Sequence, residues 1–407
     1  MLKTILCLAT LDTKGREVQY LKEIIRKRGH NVLILDISSL GSPHCTPDVP
    51  ADEVAQAAGS TLAKVRALTD AGQAAEVMTA GAIQIVLDLY RAKRFDGVIG
   101  IGGGMGSAMG TTVMRELPVG VPKFMLSSQQ VVQAGLRWYV GTSDIAIMPS
   151  LADIAGLNRL TMKSLSNAAS AIIGMVESPE IETMDKPLVF MTMLGTTTGC
   201  GLKVMGLLEK KGFEVIVFHT IGIGGMTFEN LVTSYPVSGV IELGLNEIGN
   251  ELFGGFATAG SNRLEAAGRK GIPQVITPGN AELISFFGPE TVPDRYRDRT
   301  LHHHNPQATG IRLNADEMRS VAETIAKKIN LATGPVKVLI PRRGFSALDR
   351  EGGDFYDPAA DRAFIESLRS SLHQKVQTLE IDAHINDDEF AVAVADELTA
   401  MLKTDVI

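Results

Sequence analysis

A glycine-rich segment is the part of this sequence whose residue types most directly suggest chemistry. It reads GIGGGMGS over Gly100–Ser107, directly after a predicted strand (Gly97–Ile101) and directly before a predicted helix. Glycines let the backbone approach a phosphate closely, and the N–H groups at a helix start point toward it. We therefore predict phosphate or nucleotide binding, although a tight strand-to-helix turn would also explain the pattern. The candidate binding residues are Gly102, Gly103, Gly104, Gly106 and Ser107.

Two further polar turns are candidates for the same pocket. The first, TLDTKG, follows the predicted first strand, and its hydroxyls and lysine at a helix start suit phosphate oxygens. Its carboxylate could hold a metal ion or cap the helix. The second, Gly141–Asp144, lies where another strand is predicted to end, but an ordinary turn explains it as well. These turns add Thr10, Asp12, Thr13, Lys14, Thr142, Ser143 and Asp144 to the candidates.

Polar residues also follow several predicted strands in the second half of the chain. Because the carboxyl ends of parallel strands share one edge of a sheet, these side chains could converge on one surface. There they would bind an anion or perform acid–base chemistry. The candidate catalytic residues are Arg343, His384, Asp387 and Glu247. For His384–Asp387 the competing interpretation is a helix N-cap.

The run His302–His304 is interpreted as a polar loop, and no metal site is predicted. Neighbouring residues of an extended chain point to opposite faces, so three consecutive histidines cannot easily share one ion.

The elements that must position these residues occur twice. Thr10–Asp36 and Met193–His219 align without a gap, and each combines a Thr- and Gly-rich turn, an amphipathic helix and an apolar strand. With the strand before it, each copy is one βαβ unit. We predict an α/β protein of two Rossmann-like subdomains with mostly parallel open sheets, related by internal duplication. The polar segment Ser178–Lys186 predicts a boundary, giving domains at 1–180 and 181–407, and we expect a ligand cleft between them.

Composition excludes several protein classes. The chain has 407 residues, of which 45% are hydrophobic and 21% charged, as in a folded protein with a sizeable core. A net charge of −7 argues against nucleic-acid binding. No stretch approaches the roughly 18 apolar residues of a membrane helix. Three cysteines without CxxC spacing favour a reducing compartment, so we expect a cytoplasmic protein that binds neither nucleic acid nor membrane.

Several strings taken together resemble one known family. They include TLDTKG (Thr10–Gly15), DGVIGIGG (Asp96–Gly103), YVGTSDI (Tyr139–Ile145), GFSALD (Gly344–Asp349) and DAHIND (Asp382–Asp387). The chain is similar to the ATP-binding family typified by the N-terminal domain of the tomato mosaic virus resistance protein, which includes stand-alone bacterial members. The resemblance implies two Rossmann-like subdomains, ATP near the glycine loop and assembly into a homo-oligomer. It implies nucleotide contacts for the polar turns at Thr10–Lys14 and Thr142–Asp144 and for most of the glycine loop.

Three functions follow from these observations, and the sequence leaves them open. The first is an ATP-dependent enzyme acting on a small acidic or sugar-like metabolite, with Asp12 or Asp144 holding Mg²⁺ beside ATP. The second is a nucleotide-responsive binding or regulatory protein without turnover. The third is a metal-free lyase or hydrolase that uses His384 and Glu247 of the second subdomain.

Overall fold

The computed structural model describes residues 2–179 and 185–404, with side chains as far as residue 402. The chain divides into two compact units, Met1–Glu182 and Thr183–Ile407. The centre of the predicted boundary segment, residues 180–184, lies outside the described residues.

The first unit alternates strands and helices along the chain. Its strands are β1 (Thr4–Ala9), β2 (Asn31–Asp36), β3 (Gly97–Gly102), β4 (Lys123–Ser127) and β5 (Ala146–Pro149). Its helices are α1 (Leu11–Lys27), α2 (Ala51–Ala57), α3 (Leu62–Arg66), α4 (Ala71–Arg91), α5 (Gly104–Arg115), α6 (Gln130–Ala134), α7 (Leu136–Val140) and α8 (Arg159–Val176). Within residues 2–179 the strands form one parallel sheet of five, in the order β2-β1-β3-β4-β5.

The strands of this sheet are apolar on both faces because helices cover both faces. In β1, Ile5 and Cys7 pack with α1 and α8, whereas Leu6 and Leu8 pack on the opposite side with α4 and α5. Continuous apolar runs are expected of strands buried in this way. Each fully buried aliphatic side chain contributes roughly 1.5–3 kcal/mol to folding, so the sheet is a rigid base for the loops at its edges.

The second unit repeats this plan and adds to it. Its strands are β6 (Leu188–Met193), β7 (Glu214–His219), β8 (Val237–Glu242), β9 (Gln274–Ile276), β10 (Leu283–Phe286), β11 (Leu301–Asn305), β12 (Ala308–Arg312), β13 (Val336–Pro341) and β14 (Gln377–Ile381). Its helices are α9 (Thr198–Lys210), α10 (Ile223–Ser234), α11 (Asn246–Phe253), α12 (Ala266–Arg269), α13 (Ala315–Ile329), α14 (Pro358–Ser371) and α15 (Asp388–Thr404).

Within residues 185–404, six strands form a parallel sheet in the order β14-β13-β9-β8-β6-β7, and three more form an antiparallel sheet, β10-β12-β11. Counted along the chain within each sheet and read from β7 toward β14 in the second sheet, the strands lie in the order 2-1-3-4-5 in the first sheet and 2-1-3-4-5-6 in the second. The first five strands of each sheet therefore have the same order. Equivalent glycines end the first helix of each unit, Gly29 at φ +85° and Gly212 at φ +90°. This left-handed conformation is the usual helix stop and favours glycine. The predicted α/β class with two parallel sheets is confirmed.

Two predictions about elements of the fold are wrong. The sequence predicts a strand over Tyr139–Ile147, but this segment begins as the last turn of α7, and the strand itself, β5, starts only at Ala146. The sequence also predicts an irregular loop over Phe286–Asn305, but this segment contains the end of β10 and all of β11. The strands β5 and β11 have only four and five residues, and periodicity alone does not identify the structure of such short runs.

Candidate functional site

The carboxyl edge of the first sheet is organised around β1 and β3. The two strands are neighbours, with Ala9 level with Ile101, while β2 lies on the other side of β1. The chain therefore leaves β1 toward one side of the sheet and later fills the other side. In open α/β sheets, ligands bind in the crevice at such a switch in strand order. Both α1, from Leu11, and α5, from Gly104, begin at this point.

The glycines at the end of β3 and in the loop that follows have different structural roles. A Cβ on Gly102 would lie 2.5 Å from the carbonyl carbon of Gly106, so Gly102 is required for close strand-to-helix packing. A Cβ on Gly103 would meet nothing within 4 Å, and one on Gly104 would lie 3.2 Å from Gln130 Cγ. The open space is therefore at Gly103, directly before the first turn of α5.

Ser107 is turned into the protein. It is fully buried, and its hydroxyl lies 2.7 Å from Ser127 Oγ and 3.2 Å from the carbonyl oxygen of Gly102. The prediction that Ser107 contacts a ligand directly does not fit this position, because the hydroxyl joins α5 to the end of β4. Gly102 and Gly106 likewise shape the loop and do not border the open space.

The turn after β1 lies level with the glycine loop. Thr10 Oγ1 and Thr13 Oγ1 are 2.9 Å apart, and the Lys14 ammonium donates to the carbonyl oxygen of Ile154. Asp12 does not cap α1. Its Oδ2 accepts from the N–H of Gly41 at 2.9 Å, while its buried Oδ1 has no hydrogen-bond partner among the described residues.

A residue that the sequence reasoning missed holds this turn in place. Asp36 is buried at the end of β2, and its Oδ1 accepts from the N–H of Leu11 at 3.1 Å and from the N–H of Ser38 at 2.9 Å. It therefore satisfies one of the free N–H groups at the start of α1. The sequence feature that could have identified it is an acidic residue at the end of a buried apolar strand.

The third predicted cluster lies at the opposite edge of the sheet. Asp144 precedes β5, and it pairs at 2.6 Å with Lys123, the fully buried first residue of β4. Burial raises the pKa of Asp144, but hydrogen bonds from Lys123 and from the N–H of Gly120 outweigh it, and the pKa falls below its usual range. Thr142 and Ser143 lie in the same turn, before β5. The structure does not bring Thr142, Ser143 and Asp144 to the glycine loop, because the strand they were predicted to follow starts after them.

In the second unit, three of the four predicted catalytic residues line one cavity. Arg343, His384 and Asp387 border a cavity of about 580 Å³ at the carboxyl edge of β13 and β14. Each is already engaged. Arg343 forms a bidentate ion pair with Asp382, in which Nε and Nη2 lie 3.0 and 2.7 Å from the two carboxylate oxygens. Asp387 forms an ion pair with Arg350 at 2.7 Å.

His384 is not available as a base. Its side chain is buried, Nε2 lies 2.8 Å from the carbonyl oxygen of Ser346, and Nδ1 accepts from the N–H of Asn386 at 3.1 Å. Both ring nitrogens are therefore occupied, and burial lowers the pKa of the imidazole. Asp387 Oδ2 accepts from the N–H of His384 at 2.9 Å, so this contact fixes the turn before α15 and is not an acid–base pairing of the two side chains.

Glu247 belongs to a buried structural network. Its Oε2 lies 2.6 Å from Nε of Arg263, and its Oε1 accepts from the N–H groups of Gly222 and Gly225 at 2.7 and 3.1 Å. The Arg263 guanidinium is also fully buried and donates two hydrogen bonds of 2.6 Å to the Glu242 carboxylate. Burial raises the pKa of Glu247 and Arg263 opposes that shift. A catalytic role for Glu247 does not fit, because no part of it reaches the solvent.

The predicted polar loop at His302–His304 is a strand. Because side chains alternate along β11, His302 and His304 share one face, and both line a second cavity in this unit. The alternation that argued against three histidines on one ion thus places two of them together. Among the described residues, no group of three or more His, Cys, Asp or Glu is arranged to hold a metal ion.

The sequence as a whole matches the two parts of one family. Residues 3–180 match the N-terminal domain, and residues 186–402 the C-terminal domain, of the uncharacterised protein family UPF0261. The chain belongs to the UPF0261 family.

Relatives within UPF0261 cover the chain from end to end. A UPF0261 protein of Clostridium tetani is 39% identical over 406 residues, which span 99% of this chain and 100% of that protein. The ToMV susceptible protein tm-1(GCR26) of Solanum lycopersicum is 33% identical over 420 residues, spanning 98% of this chain and 55% of the tomato protein. The family resemblance predicted from the motifs is confirmed.

Among solved structures, UDP-GlcNAc 2-epimerase from Neisseria meningitidis is 10% identical and covers 68% of this chain and 82% of its own, with a TM-score of 0.21. That score is too low to transfer any property to the UPF0261 chain. No helix in the described residues is long and apolar enough to cross a membrane.

Proposed function

We propose that this UPF0261 protein binds ATP at the carboxyl edge of its first sheet, with the phosphates between the ends of β1 and β3. The observation that carries the proposal is the start of α5 beside the open space at Gly103, next to the polar turn that follows β1. The first N–H groups of a helix have no partner within it and favour an anion. The start of α5 supplies such groups, whereas those of α1 are taken by Asp36, Ser38 and Thr10.

Side chains of the β1 turn support the same assignment. Thr13 is exposed, and the Thr10 hydroxyl lies beside it, so both are suited to phosphate oxygens. The Lys14 ammonium has three donors and the bond to Ile154 uses one of them. Asp12 Oδ1 is an unpartnered acidic oxygen in this turn. Magnesium commonly takes one or two protein carboxylates together with phosphates and water, so Asp12 fits Mg²⁺ as a single ligand.

Nucleotide binding is the function that the geometry supports best, and turnover is a separate question. An ATP-dependent reaction on a small acidic or sugar-like metabolite would release ADP or phosphate, whereas a nucleotide-responsive regulator would not. A lyase or hydrolase built on His384 and Glu247 is not supported, because both side chains are buried and fully engaged.

The test is nucleotide-induced thermal stabilisation in a matched pair of variants. Gly103→Asp puts a carboxylate into the proposed phosphate position, and aspartate is a favoured N-cap, so α5 should still form. Gly174→Asp makes the same chemical change at a glycine of α8 that has open space around it. ATP at about a hundred times its Kd should stabilise the wild type by ~2.7 kcal/mol. For a unit of this size that corresponds to about 5–10 °C.

We expect Gly103→Asp to lose this shift and Gly174→Asp to keep it. NAD and ADP, each with and without Mg²⁺, identify which part of the nucleotide matters. An unchanged ATP response in Gly103→Asp would reject the site, and no response to any nucleotide in the wild type would reject the function. Phosphate release during a screen of small acids then separates an enzyme from a regulator.

A further inference from the structure

The second unit contains a partly open cavity that the ATP proposal does not use. It lies between the carboxyl ends of β6 and β7 and the antiparallel sheet, and its volume is about 190 Å³. A cavity of this volume has room for several water molecules, which is the scale of a small metabolite. Apolar walls are supplied by Leu194, Ile221, Phe256, Leu283, Leu348 and Phe355.

The polar part of the lining consists of hydrogen-bonding groups. His219 comes from the end of β7, and His302 and His304 from one face of β11. Gly195 and Thr196 come from the turn after β6, directly before α9. Among the lining residues that the structure describes, none is Asp, Glu, Lys or Arg. A ligand carboxylate would therefore meet N–H and O–H donors and no opposing carboxylate.

One of these histidines is held in a defined state. His302 Nδ1 lies 2.7 Å from Asp354 Oδ2, and its ring packs edge-on against Phe355 with centroids 6.0 Å apart. A carboxylate only accepts hydrogen bonds, so Nδ1 carries a proton, and the neutral tautomer with this contact has its lone pair on Nε2. The cavity thus has an oriented acceptor in addition to its donors, which suits a ligand hydroxyl.

His219 is a second imidazole that can hydrogen-bond a ligand in this cavity. Burial lowers the pKa of its imidazole, opposed by a backbone contact at Met193, and this shift favours the neutral ring. A neutral ring can donate through one nitrogen and accept through the other. The apolar walls, and a described lining without Lys or Arg, argue against a highly charged ligand such as a polyphosphate.

We propose that this cavity binds a small hydroxy acid with an apolar body. The apolar body lies among Phe256, Leu348 and Phe355. The carboxylate receives hydrogen bonds from the turn at Gly195 and Thr196, where the first N–H groups have no partner within the helix that follows. The hydroxyl donates to Nε2 of His302. The site belongs to the second unit and does not depend on ATP binding.

A ligand pair and a variant pair test the proposal. Mandelate carries an aromatic body, a carboxylate and a hydroxyl, and phenylacetate lacks only the hydroxyl. In calorimetric or NMR titrations of the wild type we expect mandelate to bind ~3- to 10-fold more tightly, the range of one net hydrogen bond. His302→Phe keeps an aromatic ring beside Phe355 but removes the acceptor, so it should abolish this preference.

Blocking variants test the location. Gly195 lines the cavity and a Cβ there would meet nothing within 4 Å, so Gly195→Leu should fill the space without a clash and abolish binding. Gly206→Leu, at an equally open glycine within α9, should bind both acids as the wild type does. If Gly195→Leu fails to fold by circular dichroism, Gly310→Ala replaces it, because its Cβ would make an ordinary 3.4 Å contact with Phe355.

The outcomes are decisive in both directions. Tighter binding of mandelate that disappears in the blocking variant and loses its preference in His302→Phe supports the site. Equal affinity for the two acids, no binding of either, or full binding by both blocking variants overturns it. Gly103→Asp should bind mandelate normally, so failure of the ATP proposal and failure of this one are distinguishable.

Discussion

Replacing Glu282 by glutamine should make the second unit more stable at alkaline pH. Glu282 is fully buried, and neither carboxyl oxygen has a hydrogen-bond partner among the described residues. Burial and, second to it, the neighbouring Asp349 raise its pKa from 4.5 to about 7, against the opposing effect of Arg312. Arg312 is engaged with Asp361 at 2.6 Å, which limits what it can do for Glu282.

The sign and size of the effect follow from linkage. Folded Glu282 keeps its proton at a pH where the unfolded chain has released it. Its contribution to stability is therefore complete below pH 4.5 and is lost as the pH rises toward about 7. At 1.36 kcal/mol for each pH unit, this interval corresponds to about 3 kcal/mol. Glu282→Gln removes the titration, so it should match the wild type near pH 4.5 and exceed it by up to ~3 kcal/mol at pH 8.

Urea unfolding at several pH values between 5 and 8 measures this difference. The two units need not unfold together, so hydrogen exchange of the β10 and β12 amides should report on the second unit separately. The control is Glu366→Gln, the same change at an exposed position of α14. The reasoning fails if Glu282→Gln keeps the wild-type dependence on pH, or if Glu366→Gln shows the same gain.

Three further changes test other parts of the structure. Arg263→Met should cost the second unit about 3–5 kcal/mol in urea unfolding, because it leaves buried carboxylates without their cation; a smaller loss would mean that these carboxylates are protonated. Gly102→Ala should lower thermal stability by ~1–3 kcal/mol through its backbone clash, whereas Gly103→Ala should change it by less than about 1 kcal/mol; equal effects would contradict the different roles of the two glycines. Asp144→Asn should destabilise the first unit by about 2–3 kcal/mol, because it weakens the partner of buried Lys123, and should leave the ATP-induced thermal shift unchanged. Loss of that shift would mean that Asp144 contributes to the ATP site.

The parts of the fold that the sequence predicted are those governed by local rules. Buried parallel strands read as apolar runs, and glycines such as Gly29 and Gly212 mark helix ends. The glycine loop was located correctly after β3, because a strand, a glycine run and a helix follow one another there. Which glycines of the loop are needed for packing and which border open space was not predictable from the sequence. Only the packing of Gly102 against Gly106 shows which glycines serve the fold.

The failures come from contacts between distant parts of the chain. The sequence predicts a helix from Arg263 onward, but its partners Glu242 and Glu229 are brought to it by β8 and α10. The sequence gives no local indication that such an arginine is buried. Asp144 was misplaced for a simpler reason. Taking the end of α7 for a strand moved the turn from the start of β5 to a strand end, and so to the wrong edge of the sheet.

The two units share one topology, but the ligands that we propose for them differ. Each places a turn after its first strand at the reversal of strand order, where an open α/β sheet binds ligands. In the first unit that turn contains Asp12 and Lys14 and lies beside a second helix start, which favours a phosphate. In the second unit the corresponding turn contains Gly195 and Thr196 and faces a cavity roofed by the antiparallel sheet. The inserted sheet adds apolar walls and imidazoles, and among the lining residues that the structure describes none is Asp, Glu, Lys or Arg. We therefore propose a smaller and less charged ligand at the same position of the fold.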